Sequence, residues 1–333
     1  MTTRIEHVRR AILKGLDTAA CPMGAAQLAE ILLSMGVDIQ PRTIRRHLLD
    51  LDGGGFTRLV SRRRGRVITD RGREEVLNTA EPERTGLVSA RIHSLAYRMT
   101  FDLKTGNGSI ITNVSYVHPN DFVPAVGAIQ LVASQGMGIG SRIAVARAGE
   151  RLADVLVPEG LMAIGTICSI TWNGVLQKAG IPVMSRFGGL LEIRDRRAVR
   201  FLNMIEYSGS TLDPIEVFMR ADMTRVRDVA LKGSGVICAS FREIPYAAAD
   251  HVRTVEQEMK SRGLCGLLAV GRPNQPLFGI PVSDGHCGLV VYGGLNPIAA
   301  AREAGVRLTF RSLSGLEPID RFMTTREALR RYR

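Results

Sequence analysis

The chain has 333 residues, 45% hydrophobic and 23% charged, which suits roughly two domains with their own cores and argues against a disordered chain. No apolar run approaches the roughly 18 to 20 residues of a membrane-spanning helix, and charges interrupt the opening MTTRIEHVRRAILKGLD, so a cytoplasmic protein with no membrane partner and no secretory signal is expected. Forty-four Lys and Arg against thirty-two Asp and Glu leave a net charge of +12, which points to an anionic partner.

Thr2 and Thr3 are good N-caps ahead of Ile5, Val8, Ile12 and Leu16, whose spacing predicts an amphipathic first helix. Leu28, Ile31, Leu32 and Met35 predict a second, stopped by Gly36. After a short turn over 37–40, Pro41 opens a third helix that runs to about Asp52. Ile44, Leu48 and Leu51 form its buried stripe, while Arg42, Arg45 and Arg46 project together from the other side. Beyond Gly53-Gly54-Gly55, FTRLV and RVIT read as two strands joined by the turn SRRRG, and Thr69 caps a closing helix over 70–78. Ten arginines face three acids between residues 40 and 73, so more than half of the net charge lies in about a tenth of the chain.

Three helices and a basic hairpin over 1–80 have the layout of a winged helix-turn-helix, in which the third helix enters the major groove and the wing follows a phosphate backbone. The implied partner is double-stranded DNA. Arg62, Arg63, Arg64 and Arg66 on the wing are candidates for phosphates, giving affinity that weakens with salt. Arg42, Thr43, Arg45 and Arg46 are candidates for base edges. His47 reads as a partly exposed helix residue.

The polar break AEPERTG at 80–86 and a mixed segment to Met99 predict a linker and connecting helix over 81–99. Beyond residue 100, strand-like and helical runs alternate, and an offset of 125 sets GIGSRIAVAR (138–147) against GLCGLLAVGR (263–272). The expected fold class is mixed α+β and α/β: a winged helix-turn-helix, then a duplicated α/β domain over 100–325 whose halves, about 100–195 and 213–320, leave a ligand cleft between them. GMGIGS at 136–141 follows a predicted helix (125–134) and precedes a predicted strand (143–146). A dinucleotide loop has the reverse order, so this reads as a plain turn.

GTICSITWNG at 165–174 brings together Thr166, Cys168, Ser169, Thr171 and Asn173, small polar groups suited to a carboxylate, and Arg186 in SRFGG adds a counter-charge. Arg242 in SFREIP and His286 beside Cys287 are further ligand candidates. The same residues also fit a buried strand at 165–174 and a surface pair of Arg242 with Glu243. Cys21, Cys168, Cys238, Cys265 and Cys287 are widely spaced, odd in number and without a C-x-x-C pair, so they read as reduced thiols rather than metal ligands or disulfides. With no G-x-S-x-G, H-E-x-x-H or carboxylate cluster, no catalytic residue, metal site or cofactor is assigned, and an enzyme is the weaker reading.

GTICSITWNGVLQKAGIPVMSRFGGLLEI (165–193), IEYSGSTLDPIEVFM (205–219) and GSGVICASFREIP (233–245) resemble the NrpR family of nitrogen-responsive transcriptional repressors. With the N-terminal module the likeness covers nearly the whole chain, which has room for one NrpR regulatory domain. The resemblance implies a homodimer that binds operators of nitrogen-assimilation genes and is released by the effector 2-oxoglutarate. Metabolite and dimer come from the resemblance alone; the cleft residues rest on their chemistry. Two other readings stay open: an enzyme acting on a small carboxylate with a DNA-binding appendage, and a repressor that senses a different anion.

Overall fold

A computed structural model describes residues 4–19, 21–34, 37–61, 63–79 and 87–332. They fall in two compact units, Met1–Thr85 and Gly86–Arg333. The expected caps Thr2 and Thr3, the stop at Met35 and Gly36, and the break at 80–86 lie outside the described residues.

The first unit runs α1 (Arg4–Ala19), α2 (Ala25–Ser34), α3 (Pro41–Gly53), β1 (Thr57–Ser61), β2 (Gly65–Ile68) and α4 (Asp70–Thr79). Pro41 starts α3 after an extended Gln40, and Ile44, Leu48 and Leu51 meet Ile12, Leu16, Leu28 and Leu32 in one core. β1 and β2 pair antiparallel, and Met23 adds a bridge to Arg66 through backbone bonds of 2.9 and 3.0 Å. Gly65, at φ 93°, makes this approach possible: a Cβ there would lie 2.1 Å from the Met23 carbonyl oxygen. The Thr69 hydroxyl accepts the Gly72 N–H at 3.1 Å and caps α4.

The second unit opens with α5 (Val88–Arg98). This helix, expected as a connector, buries Val88, Ile92, Leu95 and Ala96 in the unit's own core beside Trp172 and Val175. One repeat follows as β3 (Ser109–Val117), α6 (Phe122–Ser134), β4 (Arg142–Arg147), the short β5 (Arg151–Leu152) and β6 (Val155–Leu156), β7 (Met162–Ile167), α7 (Thr171–Lys178) and β8 (Met184–Arg194). Then come β9 (Arg197–Glu206), α8 (Pro214–Arg220) and α9 (Val226–Lys232). The second repeat is β10 (Gly235–Pro245), α10 (Ala249–Ser261), β11 (Leu267–Val270), β12 (His286–Tyr292), α11 (Asn296–Glu303) and β13 (Leu308–Pro318), and the described residues close with β14 (Met323–Thr324) and α12 (Thr325–Tyr332). Both α7 and α11 have eight residues, and their starts at 171 and 296 are 125 apart, the offset read from the sequence.

Two five-stranded sheets result, ordered β13-β3-β7-β4-β14 and β11-β12-β10-β8-β9. Reading β13-β3-β7-β4 against β8-β10-β12-β11 shows the duplication strand by strand. The last strand of each repeat is exchanged: β8 pairs with β10, and β13 with β3, both antiparallel. The repeats are therefore interlocked, because each first strand would otherwise expose an edge of unpaired N–H and C=O groups. Trp172, fully buried, ties them further by donating its indole N–H to the Cys265 carbonyl at 3.0 Å. No helix among the described residues is long and apolar enough to cross a membrane.

Candidate nucleic-acid interface and candidate effector residues

Helical periodicity sorts the side chains of α3 as expected: Ile44 and Leu48 are fully buried, while Arg42, Thr43, Arg45 and Arg46 are exposed. None of these three arginines forms an ion pair among the described residues. The acids beside them are taken up elsewhere, Asp50 by Arg9 at 2.6 Å and Asp52 by Arg66 at 2.6 Å. Leu49 extends the same face, seven residues after Arg42, and is 62% exposed. The sequence hid it, because Leu49 follows Leu48 and reads as part of the buried stripe. His47 is half-buried, and burial, followed by the charge of Arg9, lowers its pKa.

The wing divides its arginines. Arg63 and Arg64 are exposed, and the Arg64 N–H donates to Ser61 Oγ at 2.9 Å, which fixes the turn. Arg62 lies outside the described residues. Arg66 departs from the expectation of a phosphate contact: its side chain is 16% exposed and its Nε donates to Asp52 Oδ2, whose other oxygen accepts from the Thr57 hydroxyl at 2.6 Å. It braces the wing against α3, because its partner Asp52 lies in the last turn of that helix.

The eight ligand candidates of the second unit do not line one cleft. β7 ends at Ile167 and α7 begins at Thr171, so 165–174 is a strand-to-helix corner and not one continuous strand. Arg242, fully buried, donates from Nε to Asn173 Oδ1 at 2.8 Å, from one terminal nitrogen to Ser240 Oγ at 2.7 Å and from the other to the Ser169 carbonyl at 2.9 Å. Burial lowers its pKa to about 10. Asn173 in turn donates to Ser185 Oγ at 2.9 Å, and the Thr171 hydroxyl donates to the Ile111 carbonyl at 3.3 Å. Cys168 is buried, and that burial pushes its thiol up to about 12.

Arg186, not Arg242, is the partner of Glu243, at 2.7 Å. A bulge in β8 explains the exchange: Phe241 faces Phe187 and Arg242 faces Ser185, leaving Arg186 as the extra residue whose head reaches the next carboxylate. Glu243 is buried, its Oε2 without a partner among the described residues, and the Arg186 side chain remains 29% exposed. His286 bonds through Nδ1 to the Asp284 carbonyl of its own turn at 2.8 Å. Thr166 lies apart with Ser141 and Gly294 around a cavity of about 10 Å³, and its hydroxyl has no partner among the described residues. Such a void holds at most one water.

Comparison with known proteins agrees with this division. Residues 10–76 match the ribonuclease R winged-helix domain, and residues 85–324 match the NrpR regulatory domains NRD1 and 2. A winged-helix unit joined to a duplicated regulatory domain defines a transcription regulator. The chain belongs to the NrpR family of nitrogen regulators: it is 35% identical over 314 residues to the global nitrogen regulator NrpRI of Methanosarcina mazei, covering 94% of this chain and 96% of that one. It is 27% identical over 308 residues to NrpR of Methanococcus maripaludis, covering 92% of this chain and 53% of that longer protein. A crystal structure of a nitrogen repressor-like protein from Methanococcus jannaschii shares the fold, with a TM-score of 0.62 at 24% identity over 72% of this chain and 98% of that one.

Proposed function

We propose that the protein is a DNA-binding repressor of nitrogen-assimilation genes, acting as a homodimer whose operator binding is relieved by 2-oxoglutarate in the regulatory domain. The observation that carries the reading is the exposed row Arg42, Thr43, Arg45 and Arg46 on α3, whose arginines have no carboxylate partner among the described residues, in a chain of the nitrogen-regulator family. These residues reach base edges, where a bidentate Arg to guanine gives about 1 to 3 kcal/mol of discrimination. Arg62, Arg63 and Arg64 hold the phosphates, and Arg66 positions the wing. The half-sites of a twofold operator lie about one helical turn apart.

Among the effector candidates, Arg186 combines a cationic head with solvent access, and a metabolite carboxylate displaces Glu243 from it. Ser169, Asn173 and Arg242 form the fixed frame behind it through Ser185. Fluorescence anisotropy of an operator duplex from the promoter of a nitrogen-assimilation gene tests the reading. Tight binding that weakens about fivefold or more with millimolar 2-oxoglutarate is expected, the scale of ordinary allosteric coupling. An unchanged midpoint removes the effector, and equal affinity for operator and random duplex removes the repressor. Arg186→Ala is expected to keep operator binding and lose the metabolite response.

A further inference from the structure

One face of the sheet β11-β12-β10-β8-β9 carries a cavity of about 330 Å³ lined by none of the residues discussed as candidates above. Every strand of that sheet contributes: Ala198 of β9, Ile193 of β8, Ile237 of β10, Tyr292 of β12 and Leu268 of β11. The register sets Ala198 opposite Ile193 and Tyr292 opposite Ala239, two residues along β10 from Ile237, so these side chains share one face. Ile193 and Ile237 are buried at the floor, while Ala198, Leu268, Phe278 and Tyr292 are half-buried around it. Met137 and Val229 complete the apolar wall.

The cationic groups sit on one side only, Arg196 and Arg197 at the β8–β9 turn. Asp195 and Arg196 have φ of 49° and 62°, the left-handed pair of a two-residue hairpin turn. The turn is pinned where α9 ends: the Arg196 N–H donates to the Gly233 carbonyl at 2.8 Å, and the Asp195 N–H to Ser234 Oγ at 3.0 Å. The Arg196 guanidinium donates to Gln135 Oε1 at 2.7 Å, and exposed Arg197 has no ion pair among the described residues. A cavity of similar size, about 320 Å³, differs in that the acids Asp222, Asp228 and Glu303 line it together with its arginines. There Arg302 is matched by Asp222 at 2.8 Å, and Glu303 accepts from the Thr224 hydroxyl and the N–H groups of Val226 and Arg227.

We propose that the first cavity is a further ligand site of the regulatory domain, taking a small monocarboxylate with an apolar body, an acyl or arylalkyl chain of about six to eight carbons. The carboxylate meets Arg197 and Arg196 at the mouth, and the chain lies over Ile193, Ile237 and Leu268. A dicarboxylate of the same length fits poorly, because its second charge would be desolvated among apolar side chains. The site shares no residue with the Arg186 and Arg242 group, so it stands or falls independently of 2-oxoglutarate sensing.

Isothermal titration of the whole protein with sodium octanoate, without DNA, tests the proposal, with 1-octanol and glutarate as its two halves. One saturable octanoate site per chain is expected, with octanol and glutarate each binding at least roughly tenfold more weakly and 2-oxoglutarate not competing. Arg197→Ala should weaken octanoate roughly tenfold, and Ala198→Trp, which fills the cavity, should abolish it. Melting curves without ligand report whether each variant folds; if Ala198→Trp does not, the surface change Arg197→Ala decides. Absence of saturable octanoate binding, octanol binding as tight as octanoate, an unchanged affinity in Arg197→Ala, or competition by 2-oxoglutarate would each overturn it.

Discussion

The two units place arginine in opposite ways. On α3, Arg42, Arg45 and Arg46 stand exposed, and the nearest acids are held by Arg9 and Arg66. On β10, Arg242 is wholly enclosed, and each of its three nitrogens donates to an internal oxygen, of Asn173, Ser240 and Ser169. A guanidinium whose donors are unmatched inside the protein is available to an external anion, whereas one already saturated by internal oxygens fixes the fold. Residue type is the same in both places, and the acceptors around it decide the role.

The largest expected effect breaks that contrast directly. Arg242→Ala orphans the acceptors of Asn173, Ser240 and Ser169 and leaves a cavity, so unfolding of the regulatory domain in urea should lose about 3 to 5 kcal/mol. Arg242→Met keeps much of the volume and should lose less. If Arg242→Ala instead melts like the parent and merely loses its 2-oxoglutarate response, Arg242 belongs with the ligand residues and the contrast fails.

Next in size are the exposed arginines. Arg42→Ala and Arg45→Ala should each remove about 1 to 3 kcal/mol of preference for operator over random duplex, with little change in melting temperature. Arg63→Ala should weaken both duplexes alike and flatten the salt dependence by about 0.9 in the log–log slope. Uniform loss on both duplexes for all three variants would mean that α3 does not read bases. A smaller effect is expected at Arg66, whose pair with Asp52 is largely shielded: Arg66→Ala should destabilise the winged-helix unit by about 0.5 to 1 kcal/mol with an unchanged salt slope. A slope that flattens as it does for Arg63→Ala would restore Arg66 to the phosphate contacts.

Local patterns in the sequence carried the first unit well. Ile44, Leu48 and Leu51 announce the buried face of α3, and the opposite face follows from helix geometry alone. What stayed hidden there was pairing: nothing local says that Arg66 meets Asp52, fourteen residues away, while Arg64 meets no acid among the described residues. In the second unit the offset of 125 was legible, but the exchange of β8 and β13 was not, because a repeat shows which segments are alike and not which ones pair. The corner at 165–174 misled in a related way: alternation in Thr166 to Ile170 looks like a strand, yet the chain turns after Ile167 so that Asn173 and the Ser169 carbonyl can converge on Arg242. Grouping the eight candidates by chemistry captured the Ser169, Asn173 and Arg242 network but assigned its hydrogen bonds to a ligand instead of to one another.

A half-buried carboxylate in the second unit yields one further expected effect, of pH. Asp213 caps α8, accepting the N–H groups of Ile215 at 2.8 Å and Glu216 at 3.4 Å, and burial together with nearby Glu216 raises its pKa from 3.8 to about 7. The folded protein therefore holds this proton more tightly than the unfolded chain does. Its contribution to stability is complete below about pH 4 and is lost as pH rises to about 7, the reverse of a salt-bridged aspartate. Asp213→Asn retains an acceptor for the cap and removes the titration, so its melting temperature should vary less than the parent's between about pH 5 and about pH 8 and exceed it at the upper end. Identical profiles for parent and variant would place Asp213 among ordinary solvated carboxylates, and the enclosed polar groups of this unit would then be less sheltered than Arg242 implies.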